Sequence, residues 1–479
     1  MHTDEAVNAY ITGGLLAGNV YHYDPQDRHG PALYALATPL ARLAGAKNLA
    51  GLTETTLRLG PILTGSLAVL LFALLVPETG LTVALLAALL WAAAPLPVYY
   101  SRYFIHETLF VAATLGLLGA GGRWLTGGSV RAGVMTGFWA ALMLATKETA
   151  MLNLAAAGLA GGWWLVMHRT RSSDVLPRLF AMSGGFIDRN VTWQRPEKGS
   201  GTVAGRRLGI GLGMLAGLGL LVILYSWGGS NWAGVGDLFR SLPHLLKRAA
   251  GEGHEKPWWY YLGLLGGGWS GWGLLALAAA GAGRALRGRA SGTLFCWLIY
   301  AAALTILYSL IPYKTPWLAL NLFLPLAVLA GAGAAGLWEL AQSVGLRRGV
   351  AAGAVVLMGL MARDTWQRVF QQPADEHNPY AYAHTGEDLL RLPSRLAQLT
   401  GPQTTVAVVM ADPWPLPWYL RNFARVGYWQ PGQNPGRAEV YLTTPEAAVA
   451  DQLRLARWRP EFFGVRPGVL LTLWTPPGN

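Results

Sequence analysis

Long apolar runs broken by short polar links make up most of the chain. Runs of spanning or near-spanning length fall at about 57–76, 81–97, 104–121, 132–147, 150–167, 208–227, 258–281, 293–311, 317–340 and 349–363, against the roughly 20 residues a helix needs to cross the hydrocarbon core of a bilayer. These predict ten helical crossings. Residues 6–24 are mixed and turn-rich, and 31–45, which carries Arg42, is too short to cross and reads as a helix lying along the interface. The link 228–257 contains Asp237 to Lys247, amphipathic enough for a second interfacial helix. From about residue 364 the pattern becomes that of a soluble domain: Val406 to Met410 reads as a buried strand, 385–400 and 446–458 as helices, and Gly468 to Trp474 as a last strand. The expected fold is mainly α, a polytopic helical bundle over 1–363 followed by a small α/β domain over 364–479.

Composition agrees with a bilayer environment. The chain is 53% hydrophobic and 13% charged, where soluble domains average about 25% charged. Its 61 Gly supply small residues for close helix contacts, and its 21 Trp and 18 Tyr supply rings suited to headgroup depth. The net charge of +12 does not point to nucleic acid, because the basic residues sit mostly in short loops between apolar runs and form no stripe. Eight Lys/Arg lie between 168 and 207, with further basic residues at 123 and 131, at 284, 287 and 289, and at 347 and 348. Alternate loops therefore read as cytoplasmic. Asp4, Glu107, Lys147, the 228–257 link, Lys314 and the C-terminal domain then fall on the extracytoplasmic side. The single cysteine, Cys296, lies in an apolar run. It excludes an intramolecular disulfide and any thiolate metal cluster, so a metal here would use oxygen or histidine ligands. The chain opens on a polar, acidic segment and not on a signal peptide. An outer loop at residue 1 leads us to expect a transmembrane helix ahead of it.

Polar groups cluster just outside the apolar runs. Asp4-Glu5 is a pair of adjacent carboxylates, a common surface feature that gains weight from His29-Gly30-Pro31, Arg102 to Glu107, Lys147-Glu148 and Tyr313-Lys314-Thr315 on the same predicted side. Glu107 enters an apolar helix, where a carboxylate is expensive to keep charged unless a cation or metal faces it. Arg102 and the tyrosines around it are either snorkelling anchors or site residues. Lys147-Glu148 is either a water-facing turn or part of a site. Lys314, between Pro312 and Pro316, is an interfacial anchor or a phosphate contact held by a rigid turn. His29-Gly30-Pro31 serves equally as a turn. His254 and Glu255 read as solvated loop residues.

The order of these segments resembles the GT-C superfamily of membrane glycosyltransferases. The strings His2-Thr3-Asp4-Glu5-Ala6, Tyr23-Asp24-Pro25, His29-Gly30-Pro31, Tyr99-Tyr100-Ser101-Arg102-Tyr103, Ala145-Thr146-Lys147-Glu148-Thr149 and Trp414 to Leu420 are similar to the flippase activity-associated family, itself related to protein mannosyltransferases and aminoarabinose transferases. The resemblance implies transfer of a sugar from a polyprenyl-phosphate donor to an acceptor glycan, lipid or protein on the outer face, with the lipid tail in a groove between spans. Such transfer needs a base for the acceptor proton and positive charge for the departing phosphate. Asp4 is then the candidate base, or a ligand if a divalent metal is used. Glu107 is the second carboxylate, orienting or sharing that metal, for which oxygen ligands favour Mg or Mn. Arg102, Lys147, Lys314 and His29 are the candidate donor-phosphate contacts.

A lipid-linked glycan flippase and a non-catalytic accessory protein of a glycan pathway are the competing readings. A flippase predicts ionisable groups near span midplanes and broken-helix repeats, whereas charge here sits at outer edges. The enzyme reading predicts Asp4 and Glu107 in one outward-opening cavity with at least one of Lys147 and Lys314 on its wall. It also places the rings of Trp414 to Leu420 at the membrane surface.

Overall fold

In the computed structural model, all residues are described except Asp27, 171–202, 250–253, 288–291, 400, 402, 446, 448–454, 456 and 478–479. The loop expected over 168–207 and the helix expected over 446–458 fall mostly outside the described residues. The turn-rich start is instead a helix, α1 (Thr3–Leu16). Its cap is His2, whose ring Nδ1 accepts the Asp4 amide at 3.1 Å while Glu5 takes the His2 amide at 2.9 Å. This reciprocal box is usually built on Ser or Thr, so a histidine in that place gave no recognisable start signal.

The expected interfacial helix is present as α2 (Ala32–Leu43). Next come α3 (Glu54–Leu71), continued as a helical span to Thr79, then α4 (Leu81–Ala93), α5 (Pro95–Tyr100), α6 (Glu107–Gly127), α7 (Val130–Leu144) and α8 (Ala150–Thr170). Beyond the undescribed link lie α9 (Val203–Tyr225), the amphipathic α10 (Ala233–Ala249), α11 (Tyr260–Leu265), α12 (Trp269–Leu286), α13 (Gly292–Leu310), α14 (Ala319–Leu340) and α15 (Val344–Thr365). Among the described residues seven helical stretches are long and apolar enough to cross a membrane, and α4 and α7 are shorter apolar helices. The chain is a multi-pass membrane protein.

The run 258–281 is not one helix. It breaks at Gly266–Gly268, where Gly268 has φ 91° and a Cβ at Gly271 would lie 2.3 Å from the Leu265 carbonyl. Apolarity alone hid that break. Elsewhere glycine lets helices close up. Gly133 and Gly137 of α7 face Gly209 and Gly213 of α9 so tightly that a Cβ at Gly137 would sit 2.0 Å from the Gly213 carbonyl oxygen, the small-residue packing that replaces hydrophobic drive inside lipid.

The boundary expected at 364 falls inside continuous helix, since α15 runs on through a wider turn at Trp366–Gln371. The chain then lays a strap over the bundle and enters α16 (Glu387–Leu399) and a five-stranded sheet: β1 (Thr405–Val409), β2 (Arg425–Trp429), β3 (Val440–Thr443), β4 (Arg459–Arg466) and β5 (Val469–Thr475). The strand order is β2-β1-β3-β5-β4, with β1 parallel to β2 and β3, and β5 antiparallel to β3 and β4. Leu389, Val408, Leu442 and Leu473 share one buried core with Ala6 and Ala9 of α1 and Leu33 of α2. Trp418 and Leu420 are buried in that core rather than facing a membrane surface. Packing on α1 outweighs the interfacial preference of the rings.

Gly137→Val is expected to abolish folded yield, because backbone on the facing helix cannot move aside. Gly219→Ala, where a Cβ meets nothing within 4 Å, should be silent. Monodisperse recovery from detergent chromatography compares the two.

Candidate active site

Two links that are far apart in sequence are stitched together by backbone. The Gly30 amide donates to the Thr146 carbonyl at 3.2 Å and the Ala32 amide to the Ala145 carbonyl at 2.9 Å. A Cβ on Gly30 would come within 2.2 Å of the Ala145 oxygen, so only glycine permits the approach. The stitch sets Arg28 and His29 beside Lys147 and Glu148. His29 Nδ1 lies 2.9 Å from Glu148, which also accepts from the Tyr23 hydroxyl at 3.0 Å. Burial tends to raise the Glu148 pKa, but His29, its hydrogen bonds and Lys147 bring it to about 2. Glu107, the first residue of α6, is buried and ion-paired with the equally buried Lys147. The cation that a carboxylate entering an apolar helix requires is therefore Lys147.

These groups line a cavity of about 370 Å³ together with Asp4, Asn8, Tyr34, His254 and Tyr313. Asp4 stands in the first turn of α1, exposed, with its amide held by His2. Among the described residues its carboxylate has no ion pair or hydrogen bond. Asn8, one turn on, donates to the Phe104 carbonyl at 2.9 Å and accepts from the Tyr34 hydroxyl at 2.7 Å, which fixes the face of α1 that meets the cavity. Glu5 turns the other way. Arg58 grips it with two bonds of 2.8 and 2.9 Å, and the Phe104 amide adds a third at 2.9 Å. Burial opposes the charge on Glu5, yet Arg58, the terminal ammonium and the Phe104 amide hold its pKa down at about 2.

Asp4, Glu107, Lys147 and His29 thus come together. Arg102 and Lys314 do not line the cavity. Arg102 donates to the Val369 carbonyl at 2.6 Å and lies 4.5 Å from the Phe370 ring centroid, so it anchors the end of α15. Lys314 lies in extended chain tied to the 254–256 link through the pairing of Glu255 with Tyr313 and a 3.0 Å bond from the Lys314 amide to the His254 carbonyl. Successive side chains in such chain alternate, so Tyr313 and Thr315 face the cavity while the buried Lys314 ammonium binds the carbonyls of Lys256 and Ile311. Sequence reading missed Arg28, beside the turn it did identify, and Asn8, one helical turn from Asp4. It took His254 for a solvated residue. His254 in fact lines the cavity and pairs with the Tyr382 hydroxyl, while burial lowers its pKa and Asp4 works to raise it.

Lys147 holds Glu107, and among the described residues no three His, Cys, Asp or Glu converge as a metal-binding group. The bundle and sheet, taken as a whole, have solved counterparts. ArnT from Cupriavidus metallidurans bound to undecaprenyl phosphate superposes with a TM-score of 0.65 at 16% identity, over 98% of this chain and 93% of that one. The chain has the GT-C fold. Two structures of the Archaeoglobus fulgidus oligosaccharyltransferase also match this GT-C frame. One, AglB with an inhibitory peptide and dolichol-phosphate, gives a TM-score of 0.55 at 14% identity over 98% of this chain and 70% of that one. The other, with Zn and sulfate, gives 0.52 at 16% over 97% and 69%. The family described as dolichyl-phosphate-mannose-protein mannosyltransferase matches residues 38–187. No curated protein matches the chain in sequence.

Glu5→Gln should destabilise the fold by about 1–3 kcal/mol at neutral pH, since it removes the buried carboxylate that grips Arg58 and leaves that partly exposed guanidinium only the longer 3.5 Å contact with Glu54. Glu5 has a depressed folded pKa, so its stabilisation is complete above the ordinary 4.5 and is lost as pH falls toward about 2. Thermal unfolding in nanodiscs should show the gap between wild type and variant closing over that window.

Proposed function

We propose that the protein is a membrane glycosyltransferase that moves a sugar from a polyprenyl-phosphate donor to an acceptor glycan, lipid or protein on the extracytoplasmic face. The observation that carries this reading is the exposed Asp4 carboxylate, free of an ion pair among the described residues, lining one cavity with Lys147, Arg28 and His29. The undecaprenyl phosphate of the ArnT structure and the dolichol-phosphate of the AglB structure support a donor of that class. The basic links at the opposite ends of the spans support an outward-facing cavity, with 364–479 as an outer domain. The resemblance to the flippase activity-associated family belongs to the same reading.

In the reaction the acceptor hydroxyl attacks the anomeric carbon as the bond from that carbon to the phosphate oxygen breaks. The hydroxyl proton passes to Asp4, and the electron pair leaves with the polyprenyl phosphate. Lys147, Arg28 and His29 meet the phosphate charge, and Glu107 orients Lys147. A flippase is less well supported, because the charged residues gather at one end of the bundle instead of along a path through it.

Asp4→Asn should lower turnover by about 10²–10⁴-fold with unchanged thermal stability, measured as transfer of labelled sugar from polyprenyl phosphate in nanodiscs. Near-normal turnover would remove Asp4 as the base. Turnover should also persist in EDTA, as Lys147 occupies the carboxylate a metal would need; a loss reversed by added Mg or Mn would reinstate the metal.

A further inference from the structure

The strap between α15 and α16 reaches back to the start of the chain. His384, buried, accepts the Tyr382 amide on Nδ1 at 2.8 Å, so its proton sits on Nε2 and is donated to the Tyr103 hydroxyl at 2.5 Å. Tyr103 donates onward to Tyr99 at 3.0 Å, and Tyr99 to the Pro373 carbonyl at 2.6 Å. The chain of bonds starts and ends on the strap and runs through the end of α5 and the link to α6, and His384 Nε2 also lies 3.1 Å from the Tyr99 hydroxyl. Burial keeps the His384 pKa at about 3, so the ring stays neutral and this donor order holds at working pH. The His384 ring lies 5.1 Å from the ring of His2, the residue whose Nδ1 holds the Asp4 amide.

Further ties join the two segments. The Thr3 hydroxyl donates to the Ala383 carbonyl at 3.3 Å and the Thr385 hydroxyl donates to the Met1 carbonyl. Ala383 has φ 49°, a left-handed conformation that a non-glycine residue adopts only when its surroundings impose it. Tyr382 meanwhile bonds His254 on the cavity wall and packs edge-on against Trp317, another wall residue, at 5.5 Å. The strap therefore touches both the cap of α1 and the wall facing Asp4.

We propose that His384 is a positioning residue: through His2 it fixes the orientation of Asp4, and the strap that carries it completes the active site. This rests on the reading of Asp4 as catalytic base. A base displaced by a fraction of an ångström leaves substrate binding intact and slows the chemistry, so the effect falls on kcat.

The test uses the full chain in nanodiscs with Cys296→Ser, so that Asp4→Cys carries the sole nitroxide label. The label should be immobilised with His384 present and mobile after His384→Ala. In the otherwise native protein, His384→Ala should lower kcat on the order of 10²-fold with donor KM unchanged within about twofold. His384→Gln, whose amide can still donate to Tyr103, should restore most of both signals. Tyr103→Phe removes one hydroxyl from the chain and should reproduce the alanine effect in part if His384→Ala does not fold. An immobile label in both Ala and Phe variants overturns the proposal, as does a parallel loss of kcat, KM and thermal stability. If no variant or wild type transfers sugar, the transferase reading fails, and label mobility still decides whether the strap holds residue 4.

Discussion

The ion pair between Glu5 and Arg58 sets the rotation of the first helix, and the cavity depends on that rotation. Neighbouring residues on a helix point about 100° apart. Drawing Glu5 inward to Arg58 and the Phe104 amide therefore turns Asp4 toward the opening. The two adjacent carboxylates have opposite fates: one is buried, with every oxygen engaged, and the other is exposed and free of an ion pair among the described residues. Glu5 thereby joins α1 to α3 and, through the Phe104 amide, to the link that leads into α6, the helix that carries Glu107.

Within the cavity each of the other carboxylates already has a cation. Glu107 holds Lys147, and Glu148 holds His29. Asp4 consequently carries the uncompensated negative charge on that wall among the described residues. The phosphate of the proposed donor would compete with Glu107 for Lys147 and loosen that pair as the site fills. Such coupling between anion binding and an internal salt bridge arises wherever a buried cation has one partner and an open side.

Much of this was readable from residues alone. Apolar runs located the helices because bilayer length is a strict constraint, and the predicted side of the membrane grouped Asp4, His29, Glu107 and Lys147, which do share one cavity. Sidedness says nothing about direction, however. Lys314 sits at the right depth, but the alternation of extended chain points it at backbone carbonyls, and Arg102 is taken by the end of α15. His2 was unreadable as a cap because capping preferences favour smaller side chains. The glycine break at 266–268 was hidden by its apolar surroundings, and His254 is held on the wall by Tyr313, Lys314 and Tyr382, all distant from it in the chain.

The shared core of α1, α2 and the C-terminal sheet imposes an order on assembly. Residues 3–16 are made long before the sheet, and although Leu33 of α2 and Arg58 of α3 meet them early, the part of their core supplied by Trp418 and Leu473 comes only when nearly the whole chain is made. At about 5–20 residues per second, that interval lasts tens of seconds. Throughout it, the bundle can insert while its first helix is packed on one side only. A nascent or truncated chain would thus be membrane-embedded with the wall that carries Asp4 supported from one side alone.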